Sequence, residues 1–121
     1  MRIKRLFTEA GSSPYARIEF RAAASEIRNP DGSIVFRLEN FAVPAPWSQV
    51  AADVLAQKYF RKAGVPVRLM PVAEDSLPTW LWRKEADEEA LAALAPEERT
   101  TGERDARQVF DRLAGTWTYW A

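Results

Sequence analysis

Carboxylates are as numerous as cations among the groups in this chain that could do chemistry: 17 Asp and Glu stand against 17 Lys and Arg. Glu19, Glu26 and Glu39 fall within segments of alternating apolar residues, and Asp87, Glu88 and Glu89 are consecutive. Acid–base work by a carboxyl pair needs one member buried and one solvated, facing each other. None of these spacings supplies that, so the acids read as solvated surface charge. The chain has no His and no Cys. This removes the usual proton shuttle, the commonest metal ligand, a His-based nucleophilic triad, thiolate chemistry and disulfides. Gly32 follows Asp31 alone, with no glycine-rich run to cradle a phosphate. No catalytic, cofactor-binding or metal-ligating residue is therefore assigned.

Two other groupings remain. Lys58, Arg61, Lys62 and Arg68 interleave with Tyr59 and Phe60, a pattern that can hold phosphates or single strands. Cations near a helix C-terminus are equally explained by the helix dipole. With a net charge of zero there is no general pull on nucleic acid or anionic lipid. The aromatic load is heavy, with 5 Trp, 6 Phe and 3 Tyr. Aromatic side chains dominate the energetics of cores and of interfaces alike. Trp80, Trp82, Phe110, Leu113, Trp117 and Trp120 are the candidates for an inter-domain face rather than for core alone.

These residues need elements to position them. At 121 residues the chain has the length of one domain. The clearest element is a helix from Trp47 to Gly64. Ser48 is its cap, and Trp47, Val50, Ala51, Val54, Leu55 and Tyr59 form its apolar face by three- and four-residue spacing. Lys58, Arg61 and Lys62 lie in its last turn; Gly64 and Pro66 end it. Tyr15–Arg28 alternates with period two, with Ala16, Ile18, Phe20 and Ala22 on one face, and its phase breaks after Ala24, which predicts a bulge. Asn29-Pro30-Asp31-Gly32 is a type I turn signal. Ser33–Val43 returns as the partner strand, and its phase switches near Asn40. Two breaks predict a twisted hairpin that touches two surfaces, covered by the Trp47 helix because a lone hairpin is marginal in water. Residues 2–8 read as a short strand or ordered arm anchored by Ile3 and Leu6-Phe7. Val65–Val72 reads as an edge strand or crossing, since Pro66 and Pro71 cannot donate to a ladder. Asp87–Ala95 reads as a surface helix, and Pro96–Arg99 as a charged linker. A last helix opens at Thr100, with Glu103 completing a capping box and Ala106, Val109, Phe110, Leu113, Ala114, Trp117 and Trp120 along one face. The fold expected is α+β: a small antiparallel sheet on a central amphipathic helix, with a second helix at the C-terminus. The opening residues lack the apolar core of a secretory signal and no stretch suits a membrane span, so a cytoplasmic location is expected. The aromatic residues at the very end read as a cut inside a larger protein.

Trp47-Ser-Gln-Val-Ala-Ala-Asp-Val-Leu-Ala-Gln-Lys-Tyr-Phe-Arg-Lys-Ala-Gly-Val-Pro66 resembles the N-terminal region of the bacterial adenosylcobalamin-dependent (class II) ribonucleotide reductases. Ser25–Gly32, Thr79-Trp-Leu-Trp-Arg83 and Gln108–Trp120 are similar to the hairpin, the tryptophan segment and the barrel-entry helix of that family, in the same order. The resemblance implies residues 1–121 as one domain preceding a catalytic α/β barrel. In the family, adenosylcobalamin generates a cysteine thiyl radical within that barrel and ribonucleotides become deoxyribonucleotides. None of this transfers to a chain without Cys. The implied partners are the barrel of the same polypeptide and a further copy of the parent enzyme, with the ribonucleotide bound elsewhere. The alternative is an independent nucleotide- or nucleic-acid-binding module built on the hairpin and the Lys58–Arg68 cluster.

Overall fold

The computed structural model describes residues 3–121. Strands β1 (Phe20–Arg28) and β2 (Ile34–Pro44) form an antiparallel hairpin. Its turn closes as its composition predicts: Gly32 donates its N–H to Asn29 C=O at 2.9 Å, and Gly32 takes φ 88°. The Asp31 carboxylate accepts from the Ser33 N–H at 2.9 Å, which fixes the turn from within.

The phase break marks a bulge at the expected place. Ala23 pairs with Phe41 and Ser25 with Leu38, so Ala24 on β1 faces both Glu39 and Asn40 on β2. The extra residue belongs to β2, where Asn40 adopts φ 55°, a conformation that Asn tolerates better than most side chains. One inserted residue keeps Leu38 and Phe41 on the same side of the hairpin. Phe36, Leu38 and Phe41 all reach the core, and a second register shift lies between Ile27 and Arg28. Ala23 and Ser25 are the buried positions of β1, while Ala22 and Ile18 are exposed. The strand also begins later than the alternation suggests. Tyr15–Ile18 is a turn, with Ile18 N–H donating to Tyr15 C=O at 3.0 Å.

Helix α1 (Gln49–Val54) begins as read, with the Ser48 hydroxyl accepting from Ala51 N–H at 3.1 Å. It then widens into a π-helical turn, Leu55–Tyr59, and Phe60 N–H donates to Leu55 C=O at 3.0 Å. This turn swings Phe60 into the core, edge-on to Phe41 with ring centroids 5.6 Å apart. Gly64 is left-handed, but it lies in the loop beyond the helix, as do Arg61 and Lys62. The buried face is Ala52, Leu55, Ala56 and Phe60; Val50, Val54 and Tyr59 of the predicted stripe are exposed. Small residues let the helix approach the hairpin closely, and their size hides them from a reading weighted towards large apolar side chains.

Short elements follow. Strands β3 (Val65–Pro66) and β4 (Leu69–Pro71) replace the single edge strand expected over Val65–Val72. Thr79–Leu81 is a 3-10 turn, and β5 (Lys84–Ala86) pairs with β4. Helix α2 (Glu88–Ala92), capped by Asp87, is shorter than expected and buries Leu91. Pro96–Glu98 is a 3-10 turn rather than an open linker. Thr100–Thr101 is strand β6, paired with β3.

Helix α3 (Ala106–Trp120) therefore starts later than Thr100. Its capping box is Asp105 with Gln108, not Thr100 with Glu103. The Asp105 carboxylate accepts from Arg107 N–H at 2.9 Å, and Gln108 Oε1 accepts from Asp105 N–H at 3.0 Å. Burial pushes the Asp105 carboxyl up, but the bonds from Arg107 outweigh it and hold it below the usual carboxylate range. Asp105→Ala should cost about 1 kcal/mol of stability, measured as a lower urea midpoint at an unchanged slope. Between β6 and α3 the chain runs hard against the segment after the π turn. A Cβ on Gly102 would meet Lys62 O at 2.8 Å, and backbone cannot yield as a side chain can. Gly102→Ala should destabilise by about 1–3 kcal/mol, read from the same titration.

The core gathers Ala23, Phe41 and Val43 of the hairpin, Ala52, Leu55, Ala56 and Phe60 of the central helix and its extension, and Ala106 and Val109 of α3.

Candidate docking face

What aims α3 is a buried acid. Glu103 is 2% exposed. Its carboxylate accepts from Arg61 N–H at 2.7 Å and from the Arg61 guanidinium at 3.4 Å, while Arg112 Nε lies 3.3 Å from both of its oxygens. Arg112 also donates to Tyr59 C=O. Burial alone would push the Glu103 carboxyl up; the Arg61 backbone and the two guanidiniums hold it below the usual range. A single carboxylate thus joins the end of the π turn to the second turn of α3. The Tyr15 hydroxyl adds a tie, donating to Asp111 at 2.7 Å. Its pKa is raised, by partial burial first and by Asp111 second.

Held in this way, α1 and α3 leave a groove of about 420 Å³ between them, lined by Trp47, Ala51, Val54, Leu55, Tyr59, Val109, Phe110 and Leu113. Trp47 and Phe110 meet edge to face at 5.7 Å. Much of the stripe read as a buried helix face is the wall of this groove. Phe110 and Leu113 are half-buried, and Trp117 and Trp120 continue their three- and four-residue spacing along α3.

Of the six residues singled out as a face, three stand well out: Trp80 is 74%, Trp117 65% and Trp120 77% exposed. Trp82 is half-buried and its Nε1 donates to Glu74 C=O at 3.1 Å and Leu77 C=O at 3.0 Å, so it plugs its own loop. The Tyr119 hydroxyl donates to Glu74 Oε1 at 2.7 Å, tying that loop to the last turn of α3. This bond raises the Tyr119 pKa. Trp47, Val54 and Tyr59 were missed as surface residues. Their signal, an apolar stripe too wide for the small buried face, is present in the helix itself.

The basic cluster is not assembled into a site. Arg61 is committed to Glu103; Lys62 donates to Gln57 C=O at 3.1 Å and lies 5.2 Å from the Phe36 ring centroid; Arg68 donates to Val67 C=O. Glu26 pairs with Arg28 and Glu39 with Arg37 on the exposed hairpin. Among the described residues no group of three or more acids, His or Cys is placed to hold a metal ion, and no helix is long and apolar enough to cross a membrane.

Residues 21–121 match the family model described as class II vitamin B12-dependent ribonucleotide reductase, in its N-terminal part. The chain belongs to this family. It is 66% identical over 120 residues to the vitamin B12-dependent ribonucleotide reductase of Agrobacterium fabrum, and 63% identical over 120 residues to that of Bradyrhizobium diazoefficiens. Each alignment takes in 99% of this chain but only 9% and 10% of the respective relative. The chain thus spans about a tenth of the length of the curated relatives it matches.

The lining of this groove does not fit the cofactor named in those relatives. A corrin carries many amide groups that need hydrogen-bonding partners, and the groove offers walls of Trp, Val, Leu and Phe.

Proposed function

We propose that this chain is the non-catalytic N-terminal domain of a cytoplasmic, adenosylcobalamin-dependent ribonucleotide reductase. The parent enzyme reduces ribonucleotides to deoxyribonucleotides by a radical route. Cobalamin, substrate and the reactive cysteines belong to the α/β barrel that follows. The task of this domain is to pack on that barrel or at the subunit interface through Trp80, Trp82, Phe110, Leu113, Trp117 and Trp120.

The observation that carries this reading is the exposure of the Trp117 and Trp120 indoles at the end of the same α3 face whose first turns, Ala106 and Val109, are buried in the core, together with the exposed Trp80 on the Thr79–Leu81 turn. Exposed aromatic anchors of this kind are what dominate the energy of an interface once covered. The family membership supports it, because the relatives have about nine-tenths of their length outside the aligned region. The test is ribonucleotide reduction by the full-length polypeptide with Trp117 and Trp120 replaced by Ala. A marked loss supports the docking role; full activity overturns it. A nucleotide-binding module is not favoured, since Arg61 and Lys62 are engaged internally.

A further inference from the structure

The first residues described break the expectation set for them. Ile3–Thr8 forms no strand, and Ile3, Leu6 and Phe7 anchor nothing; Phe7 is 96% exposed. Met1 and Arg2 lie outside the described residues. Nothing in the structure shows what covers this arm. The charges are more telling, because the net charge of zero conceals a split. Residues 73–99 hold eight of the 17 acids and three of the 17 cations, whereas residues 1–72 hold six acids and eleven cations.

The two regions also treat their acids differently. Outside residues 73–99, eight of nine acid side chains accept an ion pair or a hydrogen bond. Within that segment, Asp75, Glu85, Glu88, Glu89, Glu97 and Glu98 are exposed, and none has a side-chain partner among the described residues. Arg83 and Lys84 lie beside them in sequence and leave them unpaired. Acids suit the first turn of a helix, but that reason reaches Glu88 and Glu89 of α2, not Asp75 or Glu85. Glu74 is half satisfied. Its Oε1 accepts from the Tyr119 hydroxyl at 2.7 Å, while its Oε2 is buried and has no donor among the described residues. Leaving a buried acceptor unmade is costly. Glu74 stands where the Trp80 loop meets α3: Trp82 Nε1 donates to its carbonyl, and the Thr79–Leu81 turn lies against α3. The Tyr119–Glu74 bond is the only hydrogen bond among the described residues that ties this loop to α3, so a small shift of the loop admits a donor.

Exposed indole and unpaired acid in one segment define a kind of partner. A guanidinium stacks on an indole face and donates to carboxylates through its planar fork. We infer that the Trp80 side of this domain takes an arginine-bearing surface of the polypeptide beyond it. One guanidinium donates to Glu74, and the exposed acids between Asp75 and Glu98 steer that surface in by their field. This partner chemistry rests on the docking reading above and goes beyond it, since indoles alone would accept any apolar cover.

The test is limited proteolysis of the full-length polypeptide at the junction after this domain, read against salt and normalised to the same protease on an unfolded substrate. Glu74→Gln keeps the acceptor for Tyr119 and removes the charge; Asp75→Asn and Glu85→Gln are added to it. Circular dichroism of the triple variant should match the parent. In the parent the cut should quicken about 10-fold between low salt and about 1 M, where charges are screened beyond about 3 Å. The triple variant should be cut at the fast rate throughout. A salt-independent rate in the parent, or a triple variant cut like the parent, overturns the arginine partner. If Trp117→Ala with Trp120→Ala still opens the junction in that case, docking stands without it; if they change nothing either, docking falls too. Arg83→Gln matching Glu74→Gln would show that Oε2 is served within the chain. Protection that appears only with added magnesium would assign the acids to a metal ion. Either result also overturns the inference.

Discussion

Glu103→Ala is expected to lose about 1–3 kcal/mol of unfolding free energy, the cost typical of leaving a buried donor without its partner, since the Arg61 and Arg112 guanidiniums remain partly solvated. The side chain is buried, and it is the shared acceptor for the Arg61 backbone N–H at 2.7 Å and for the guanidiniums of Arg61 and Arg112. Its removal leaves that N–H without its acceptor and two cations beside an empty, partly enclosed space. Domains of ordinary stability have about 5–15 kcal/mol in total, so the loss is a sizeable fraction of the whole. Glu103→Gln keeps an acceptor for the N–H but loses the charge, and should fall between Ala and the parent. Urea titration decides it; a loss below about 1 kcal/mol for Ala would refute the role. The pH dependence follows in sign. The folded pKa of Glu103 is depressed, so its contribution is complete above the ordinary glutamate value of about 4.3 and is lost as pH falls through the folded value. Asp105 acts in the same direction. Tyr15 is raised, so its contribution is present below the ordinary tyrosine value of about 10 and is lost as pH climbs through the folded one. Acid should therefore loosen the Glu103 bridge between Arg61 and Arg112 and the Asp105 cap of α3, and strong alkali the Tyr15–Asp111 tie.

Glu103 also shows where a reading of the chain stops. Thr100 and Glu103 have the spacing of a capping box, and so do Asp105 and Gln108. Only the second pair caps α3, because Thr100 is drawn into a strand with Pro66, a pairing between residues 34 positions apart in sequence. Local spacing cannot register such a competitor. The hairpin was legible because its causes are local: Pro30, Asp31 and Gly32 shape the turn, and Asn40 permits the positive φ that resets the phase. Ser48 was legible for the same reason. The π turn was not, since it depends on Phe60 finding Phe41 across the core. The split of the apolar stripe was hidden too. Leu55 is buried at the floor of the groove while Val54 and Tyr59 stand exposed along it, and spacing shows that residues share a helix face, not what lies opposite. The outward indoles of α3 were legible as an apolar run; their exposure follows only from where Glu103 and Tyr15 hold the helix.

That exposure sets the second large effect. Trp117→Ala together with Trp120→Ala should change the stability of the isolated chain by no more than about 0.5 kcal/mol, as for other surface substitutions. In the full-length enzyme the outcome should differ. Buried interface tryptophans commonly contribute 2 kcal/mol or more each, which is roughly 30-fold in docking equilibrium per indole. Covalent attachment offsets part of that loss, because a tethered domain meets its partner surface at high local concentration. Ribonucleotide reduction should still fall, and limited proteolysis should cut the junction after this domain faster than in the parent enzyme. Tyr119→Phe separates area from aim. It removes the bond to Glu74 at 2.7 Å and leaves the apolar surface intact, so it should give a smaller loss in the same direction. Equal effects of all three substitutions on the isolated chain's stability and on the full-length enzyme's activity would mean that the tail serves its own fold alone. An unchanged stability with a graded loss, the double Ala variant below Tyr119→Phe, is the pattern that only a covered face produces.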